Sequence, residues 1–225
     1  MCEIVIAVAI DGPAGAGKSS IARKVASEIG FIYVDTGALY RSIGLHMLNH
    51  HIFPGDEQAV PAELEHVQIS LAFRDGEQRV ILCGKDVSDY IRTSAVSQAS
   101  SQVSAIPAVR AFLLELQKNL AITNNVIMDG RDIGTVVLPN AQVKVFLTAS
   151  SAERAKRRHK EMVGKGLKAD FDTILKEIEE RDYRDANRAI APLVPAKDAV
   201  VVDTTGMTME EVVTTLKDLI RKQTA

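Results

Sequence analysis

Gly12-Pro13-Ala14-Gly15-Ala16-Gly17-Lys18-Ser19 puts three glycines, a lysine and a hydroxyl into eight consecutive residues. It fits the phosphate-loop pattern G-x-x-x-x-G-K-[ST] without a gap. The chemistry on offer is anion binding. Glycines let successive backbone N–H groups turn toward one point, and a helix N-terminus adds unpaired N–H groups and a positive dipole end. Gly12 to Ser19 would then hold the phosphates of a nucleoside triphosphate, with Lys18 on the terminal ones. The Ser19 hydroxyl would hold Mg²⁺. The plain alternative is a glycine-rich turn arising by chance. Its surroundings argue otherwise: Ile4–Ile10 is an apolar run of strand length, Ile21, Val25 and Ile29 fall four apart, and Gly30 sits where a helix would stop.

Three further stretches carry polar chemistry. Asp35-Thr36-Gly37-Ala38-Leu39-Tyr40-Arg41 follows a second apolar run and opens a helical pattern. Thr36 reads as its cap. Arg41 opposes the helix dipole there, and an anionic ligand would remove the objection. Val126-Ile127-Met128-Asp129 is an apolar strand ending in an acid, so Asp129 is a Mg²⁺ ligand, directly or through water. Arg131-Asp132 follows at once; a surface ion pair worth under about 1 kcal/mol is the bland reading, and ligand contact is preferred. Near the C-terminus, Arg181, Arg184, Asp185 and Arg188 fall within one narrow helical arc. Arg181 and Asp185 would make an ordinary i,i+4 pair, but three guanidiniums on one face repel unless anions lie opposite. Between these stretches, residues 153–168 form a basic run interrupted by Gly164 and Gly166. A solvated helix is its default reading; a lid carrying cations over phosphates is the sharper one.

The elements that must position these residues alternate. Strand-like runs at Ile4–Ile10, Phe31–Val34, Val126–Met128, Val143–Leu147 and Val200–Val202 are interleaved with helical patterns at about 19–29, 38–50, 97–122, 151–163, 170–188 and 208–222. Such alternation predicts an α/β fold with a parallel sheet and helices on both faces. One segment breaks it. Val67, Ile69, Leu71 and Phe73 alternate, Asp75-Gly76 supplies a turn, and Val80–Cys83 returns, with Val87–Ile91 as a short third strand. Residues 66–95 read either as an ordinary extra hairpin on the sheet edge or, the preferred reading, as a small antiparallel insertion on the substrate side that contributes little to the core. The tail 221–225 reads as frayed.

Composition bounds the rest. The 225 residues suit one domain, 1–225, and a net charge of −2 gives no global field for nucleic acid. Cys2 and Cys83 have no metal or redox spacing, which suits a reduced cytoplasmic location. The first apolar run is too short for a signal peptide or a membrane span. The five histidines read as surface residues without ligand spacing.

Taken together, Gly12–Ser20, Asp35–Arg41, Gly84–Thr93, Gly130-Arg131-Asp132-Ile133-Gly134, Arg181–Arg188 and Ala191-Pro192-Leu193-Val194-Pro195 resemble the bacterial cytidylate kinases over essentially the whole chain. The resemblance implies a P-loop three-layer α/β core (1–65 and 96–225), a monophosphate-binding insertion at 66–95 and a lid at about 153–170. It implies phosphoryl transfer from Mg·ATP to CMP or dCMP by a cytoplasmic monomer with no nucleic-acid or membrane partner. Carried onto this chain, Arg41, Arg131 and Arg188 face the CMP phosphate, Arg181 and Asp185 the ribose region, and Ser101, Arg110 and Asp132 the base. Thr36 and Tyr40 complete the CMP set; many relatives have Ser where Thr36 stands. Lys18, Arg131, Arg157, Arg181 and Arg188 carry catalysis, with Arg157 preferred over Arg154 and Arg158 as the lid arginine. Another P-loop kinase, acting on UMP or a small alcohol, is the nearest alternative. A regulatory GTPase would want an Asn-Lys-x-Asp stretch, which is absent. An RNA-binding module could use the basic run but not the arginine arc.

Overall fold

The structure is a computed structural model that describes residues 5–74 and 77–224. Its strands are β1 (Ala7–Asp11), β2 (Ile32–Asp35), β3 (Ile69–Arg74), β4 (Glu77–Leu82), β5 (Lys85–Asp86), β6 (Val126–Gly130), β7 (Val143–Thr148) and β8 (Val200–Asp203). Its helices are α1 (Lys18–Ile29), α2 (Thr36–Asn49), α3 (Ala59–Glu63), α4 (Ser94–Val103), α5 (Pro107–Thr123), α6 (Ser151–Gly164), α7 (Phe171–Asn187) and α8 (Met209–Thr224). Five strands form one sheet in the order β2-β6-β1-β7-β8, flanked by helices, and β3-β4-β5 form a second sheet. The β1·β7 and β7·β8 pairs are parallel, with Ile10 opposite Val145 and Leu147 opposite Val202. The α/β class with an added antiparallel sheet is as the alternation predicts. The described residues divide into two compact units, one built on Ile32–Val126 and the other on Ile6–Phe31 with residues 127–224.

In the second unit, every residue of β1 and β6 is buried, because these strands are covered on both faces. The α8 helix buries Val212, Val213, Leu216 and Ile220, a stripe at helical spacing. It lies beside α1, and Lys24–Glu210 and Lys217–Glu28 bridge the two at the surface. Helix α8 continues to Thr224, so the frayed tail is corrected as far as that residue; Ala225 lies outside the described residues.

The first unit holds the small sheet. β3 and β4 pair antiparallel from Ile69·Leu82 to Arg74·Glu77, and the Asp75-Gly76 turn lies outside the described residues. The third strand is Lys85–Asp86 and not Val87–Ile91. The reason is local: Asp86 Oδ1 accepts from the Ser88 backbone N–H and hydroxyl, turning the chain before Val87 can extend. Val67, Val80, Leu82, Val87 and Ile91 join one apolar core with Leu39, Ile43 and Met47 of α2 and Val109 and Leu113 of α5. The insertion is thus part of a core rather than a marginal hairpin. The single helix expected over 97–122 is two, because Pro107 opens α5 and holds Ile106 extended at φ −82°, ψ 121°.

Helices α2 and α4 approach closely at Gly44. A Cβ there would stand 2.9 Å from the Ser100 backbone nitrogen and 3.0 Å from the Ala99 Cβ. Gly44→Val should therefore overpack this contact and destabilise the protein by about 2–3 kcal/mol. Urea denaturation measures it; a midpoint unchanged from the native protein would show that the helices separate freely.

Candidate functional site

The phosphate loop leaves β1 and enters α1. Gly12, Gly15 and Gly17 have φ of 147°, 75° and 85°, values that side chains strain to adopt. A Cβ on Gly12 would lie 1.9 Å from the Leu147 carbonyl oxygen, so the loop is pressed against the end of β7. The first turn of α1 begins at Lys18, with Gly17 as its cap and no side chain capping it. Its N–H groups face the loop, as an anion site requires.

Lys18 is buried, and its Nζ donates to the Pro13 carbonyl at 2.7 Å. Burial, then the Arg131 guanidinium, holds its ammonium well below the ordinary lysine value, against the pull of Asp129 and Asp11. The Ser19 hydroxyl donates to Asp129 Oδ2 at 2.9 Å. These two hard oxygens, brought together by α1 and β6, are the donor chemistry Mg²⁺ takes.

Asp11 ends β1 just before the loop. Its carboxylate accepts from the N–H groups of Ile133 and Gly134 at 2.7 and 2.8 Å. Those two residues open a π-helical turn, Ile133–Val137, directly after Asp132. Asp11 therefore ties the phosphate loop to the turn that follows the Gly-Arg-Asp triplet.

The arginines are held by carboxylates. Arg131 Nε donates to Asp185 Oδ2 at 3.0 Å, across 54 residues. Arg188 Nη2 lies 3.7 Å from Asp132 Oδ1, and its Nε donates to the Ala191 carbonyl. Burial alone would raise the Asp185 carboxyl, but Arg131, Arg181 and Arg188 together hold it below its usual value. The expected arc is corrected in two respects. Arg184 is exposed, and α7 ends at Asn187 with Arg188 extended beyond it. The carboxylate of Asp185 accepts from Arg131 and also feels the Arg181 guanidinium one helical turn away.

Of the lid arginines, Arg157 donates to the Thr204 hydroxyl and carbonyl and to Glu153. Buried Arg154 is the one on the phosphate loop: it donates to the Ala14 carbonyl, to the Ala149 carbonyl and to both Asp182 oxygens. The sequence reading missed this role of Arg154 and the part of Asp182. Their 28-residue separation hid the pairing.

In the other unit, Asp35, not Thr36, caps α2, accepting from the Ala38 N–H at 2.9 Å. Its second oxygen accepts from Arg41 Nη2 at 2.8 Å, supplying the anion that Arg41 needs at a helix start. The buried Arg41 Nε has no hydrogen-bond partner among the described residues. Arg110 is buried on α5, donates to the Ser104 carbonyl, and lies over the Tyr40 ring at 5.8 Å. Ser101 is half-buried on α4. Gln78 of β4 clips the end of β2: its Oε1 accepts from the Asp35 N–H at 2.8 Å and its Nε2 donates to the Asp35 carbonyl at 3.2 Å. The small sheet thereby fixes the start of α2, a link no local motif announces.

A glycine loop at a helix N-terminus, a buried lysine and arginines held on carboxylates define a P-loop phosphate-binding α/β protein. The sequence pattern of the cytidylate kinase family matches residues 8–222. A curated cytidylate kinase of Carboxydothermus hydrogenoformans is 46% identical over 216 residues, 96% of this chain and 97% of the relative. That of Caldanaerobacter subterraneus subsp. tengcongensis is 49% identical over 224 residues, covering 100% of this chain and 98% of the relative. The chain belongs to the cytidylate kinase family. A crystal structure of an uncharacterized protein from Eubacterium ventriosum shares the fold, with a TM-score of 0.54 at 12% identity over 96% of this chain and 98% of the other. No helix among the described residues is long and apolar enough to cross a membrane.

Two outcomes test this geometry. Burial pushes Asp11 from 3.8 up to about 6, against the lowering by its two N–H donors. The folded state thus keeps a proton that the unfolded chain has lost, so this group's stabilising contribution is full below 3.8 and lost as pH rises through about 6. Carboxyl-detected NMR should find an aspartate titrating near that value, absent in Asp11→Asn. Removing the clip with Gln78→Ala should cost about 1–3 kcal/mol and lower hydrogen-exchange protection at Asp35 and Ala38. Unchanged protection would mean the clip does not hold the helix start.

Proposed function

We propose that this protein transfers the γ-phosphoryl group of ATP to CMP or dCMP, giving ADP and CDP or dCDP. The observation that carries the reading is a chain of neighbouring charges: the phosphate-loop lysine Lys18 lies in the fields of Arg131 and Arg181, which with Arg188 also act on Asp185. That inventory suits a reaction in which two anions must meet. Family membership points to cytosine as the acceptor base.

The nucleophile is a phosphate oxygen of the acceptor. A phosphate's second pKa is near 6, so it is mostly dianionic at neutral pH and needs no general base. Gly12, Pro13, Ala14, Gly15, Ala16, Gly17, Ser19 and Ser20 bind the ATP phosphates through backbone N–H groups and hydroxyls. Lys18 stabilises the charge spread over the transferring group. Ser19 and Asp129 would hold Mg²⁺, which neutralises phosphate charge when bound. Arg41, Arg131 and Arg188 bind the acceptor phosphate, because a planar guanidinium matches two phosphate oxygens at once. Arg181 and Asp185 take the ribose region, and Thr36 and Tyr40 complete the acceptor set. Arg157 approaches the transferring phosphoryl group from α6, while Arg154 braces the loop from beneath. The reading places the protein in the cytoplasm as a monomer.

A coupled ADP-release assay over CMP, dCMP, UMP, AMP, GMP and shikimate tests the assignment; a preference for any acceptor other than a cytidine monophosphate would overturn it. Lys18→Ala should lower kcat by about 10²–10³ while leaving the fold intact. Near-native turnover would remove the loop from the chemistry.

The base is read by hydrogen-bond polarity. Cytosine offers an amino donor at N4 and acceptors at N3 and O2, whereas uracil offers an acceptor at O4. Asp132 as a carboxylate accepts only, so it pairs with N4. Ser101 and Arg110 serve the other base atoms, and Arg110, which donates only, suits N3 or O2. UMP would set O4 against the carboxylate at a cost of about 1–3 kcal/mol. Asp132→Asn should therefore lower the CMP:UMP ratio of kcat/KM about tenfold or more. A ratio unchanged in an active variant would show that Asp132 does not read the base.

A further inference from the structure

The histidines, expected at the surface without ligand spacing, include a cluster that corrects that expectation. His46 and His50 stand one helical turn apart at the C-terminal end of α2, so both rings occupy one face. This i,i+4 spacing is one by which helices present two imidazoles to a metal ion. His46 is buried, and its Nε2 lies 2.8 Å from Glu63 Oε1 at the end of α3. The same carboxylate oxygen lies 3.2 Å from His50 Nδ1. The two rings stack with centroids 4.1 Å apart and 19° between their planes. His66, in the 3₁₀ turn Leu64–His66 that follows α3, brings Nδ1 to 3.8 Å from the other Glu63 oxygen.

Two imidazole nitrogens and a carboxylate oxygen thus converge, all within 4.8 Å of one another. A tetrahedral zinc ion with bonds of about 2.0–2.1 Å sets its ligand atoms about 3.3–3.4 Å apart. The two contacts to Glu63 Oε1, 2.8 and 3.2 Å, fall somewhat short of that spacing, so the ligands must part slightly to admit the ion, and the half-exposed His50 ring gives both the freedom to do so and a path from solvent. Two histidines and one glutamate are a donor set that zinc uses, whereas Mg²⁺ takes all-oxygen sets. None of these residues belongs to the phosphate site.

We propose that His46, His50 and Glu63 form a zinc site, with His66 or water as fourth ligand. It ties the C-terminal end of α2 to the α3 segment, opposite the end of α2 that carries Thr36 and Arg41. Imidazole ligands must be deprotonated, so binding weakens as pH falls.

The test uses tag-free full-length protein, stripped with chelator and kept free of nucleotide. Zn²⁺ alone is titrated by calorimetry, with Mg²⁺ as the control and Co²⁺ absorption as the probe of tetrahedral coordination. His50→Ala and Glu63→Gln are the variants; both side chains reach solvent, and circular dichroism checks their fold. The expected result is one Zn²⁺ per chain, the tetrahedral Co²⁺ spectrum, and affinity at least tenfold weaker in each variant. Failure of the native protein to bind one Zn²⁺, or affinity within tenfold of native in either variant, overturns the proposal. Zinc lodged instead at Asp129 would give that second pattern, with neither variant affected.

Discussion

Like charges buried together repel, and this constraint governs the phosphate-binding unit. Lys18 is depressed first by burial and then by the fields of Arg131 and Arg181, and Arg131, Arg181 and Arg188 all act on Asp185. Carboxylates keep the set in place. Asp185 holds Arg131, Asp132 faces Arg188, Asp182 holds Arg154, and Asp129 meets Ser19. Removing one member would leave its partner buried and uncompensated, which costs far more than a surface pair contributes. A site that must receive anionic phosphate can be built in advance only if the protein supplies anions of its own.

The backbone does the complementary work. Three glycines at positive φ turn the loop N–H groups inward, and α1 is left without a side-chain cap. Asp11 spends both carboxylate oxygens on the N–H groups of Ile133 and Gly134, and its burial raises its pKa despite them. In the other unit, Asp35 has the same double duty, capping α2 with one oxygen and holding Arg41 with the other. Gln78 then locks Asp35 from the small sheet. Specific side chains at strand ends, rather than general packing, set where the polar groups stand.

Much of this was legible in the residues themselves. The loop, the acid at the end of β6, the alternation of strand and helix, and the hairpin pattern are local signals with local causes. Pro107 carried a local signal that the expectation of one helix over 97–122 passed over; its missing N–H and its effect on Ile106 mark the break between α4 and α5. The histidines read as having no ligand spacing; the i,i+4 pair His46 and His50 gains its meaning only from Glu63, which joins them because α3 folds back toward α2.

The sequence alone determined the strand–loop–helix unit that binds phosphate, the fold class and the kinase family, because turn geometry, helix termini and hydrophobic period act over a few residues. Tertiary structure alone decided which charge answers which. Arg131 is held by Asp185, Arg154 rather than Arg157 lies on the loop, and Gln78 of the small sheet clips Asp35. A carboxylate or guanidinium carries no mark of its partner in the sequence. The pairing is set when burial removes water and the nearest opposite charge, however distant along the chain, becomes the one group able to replace it.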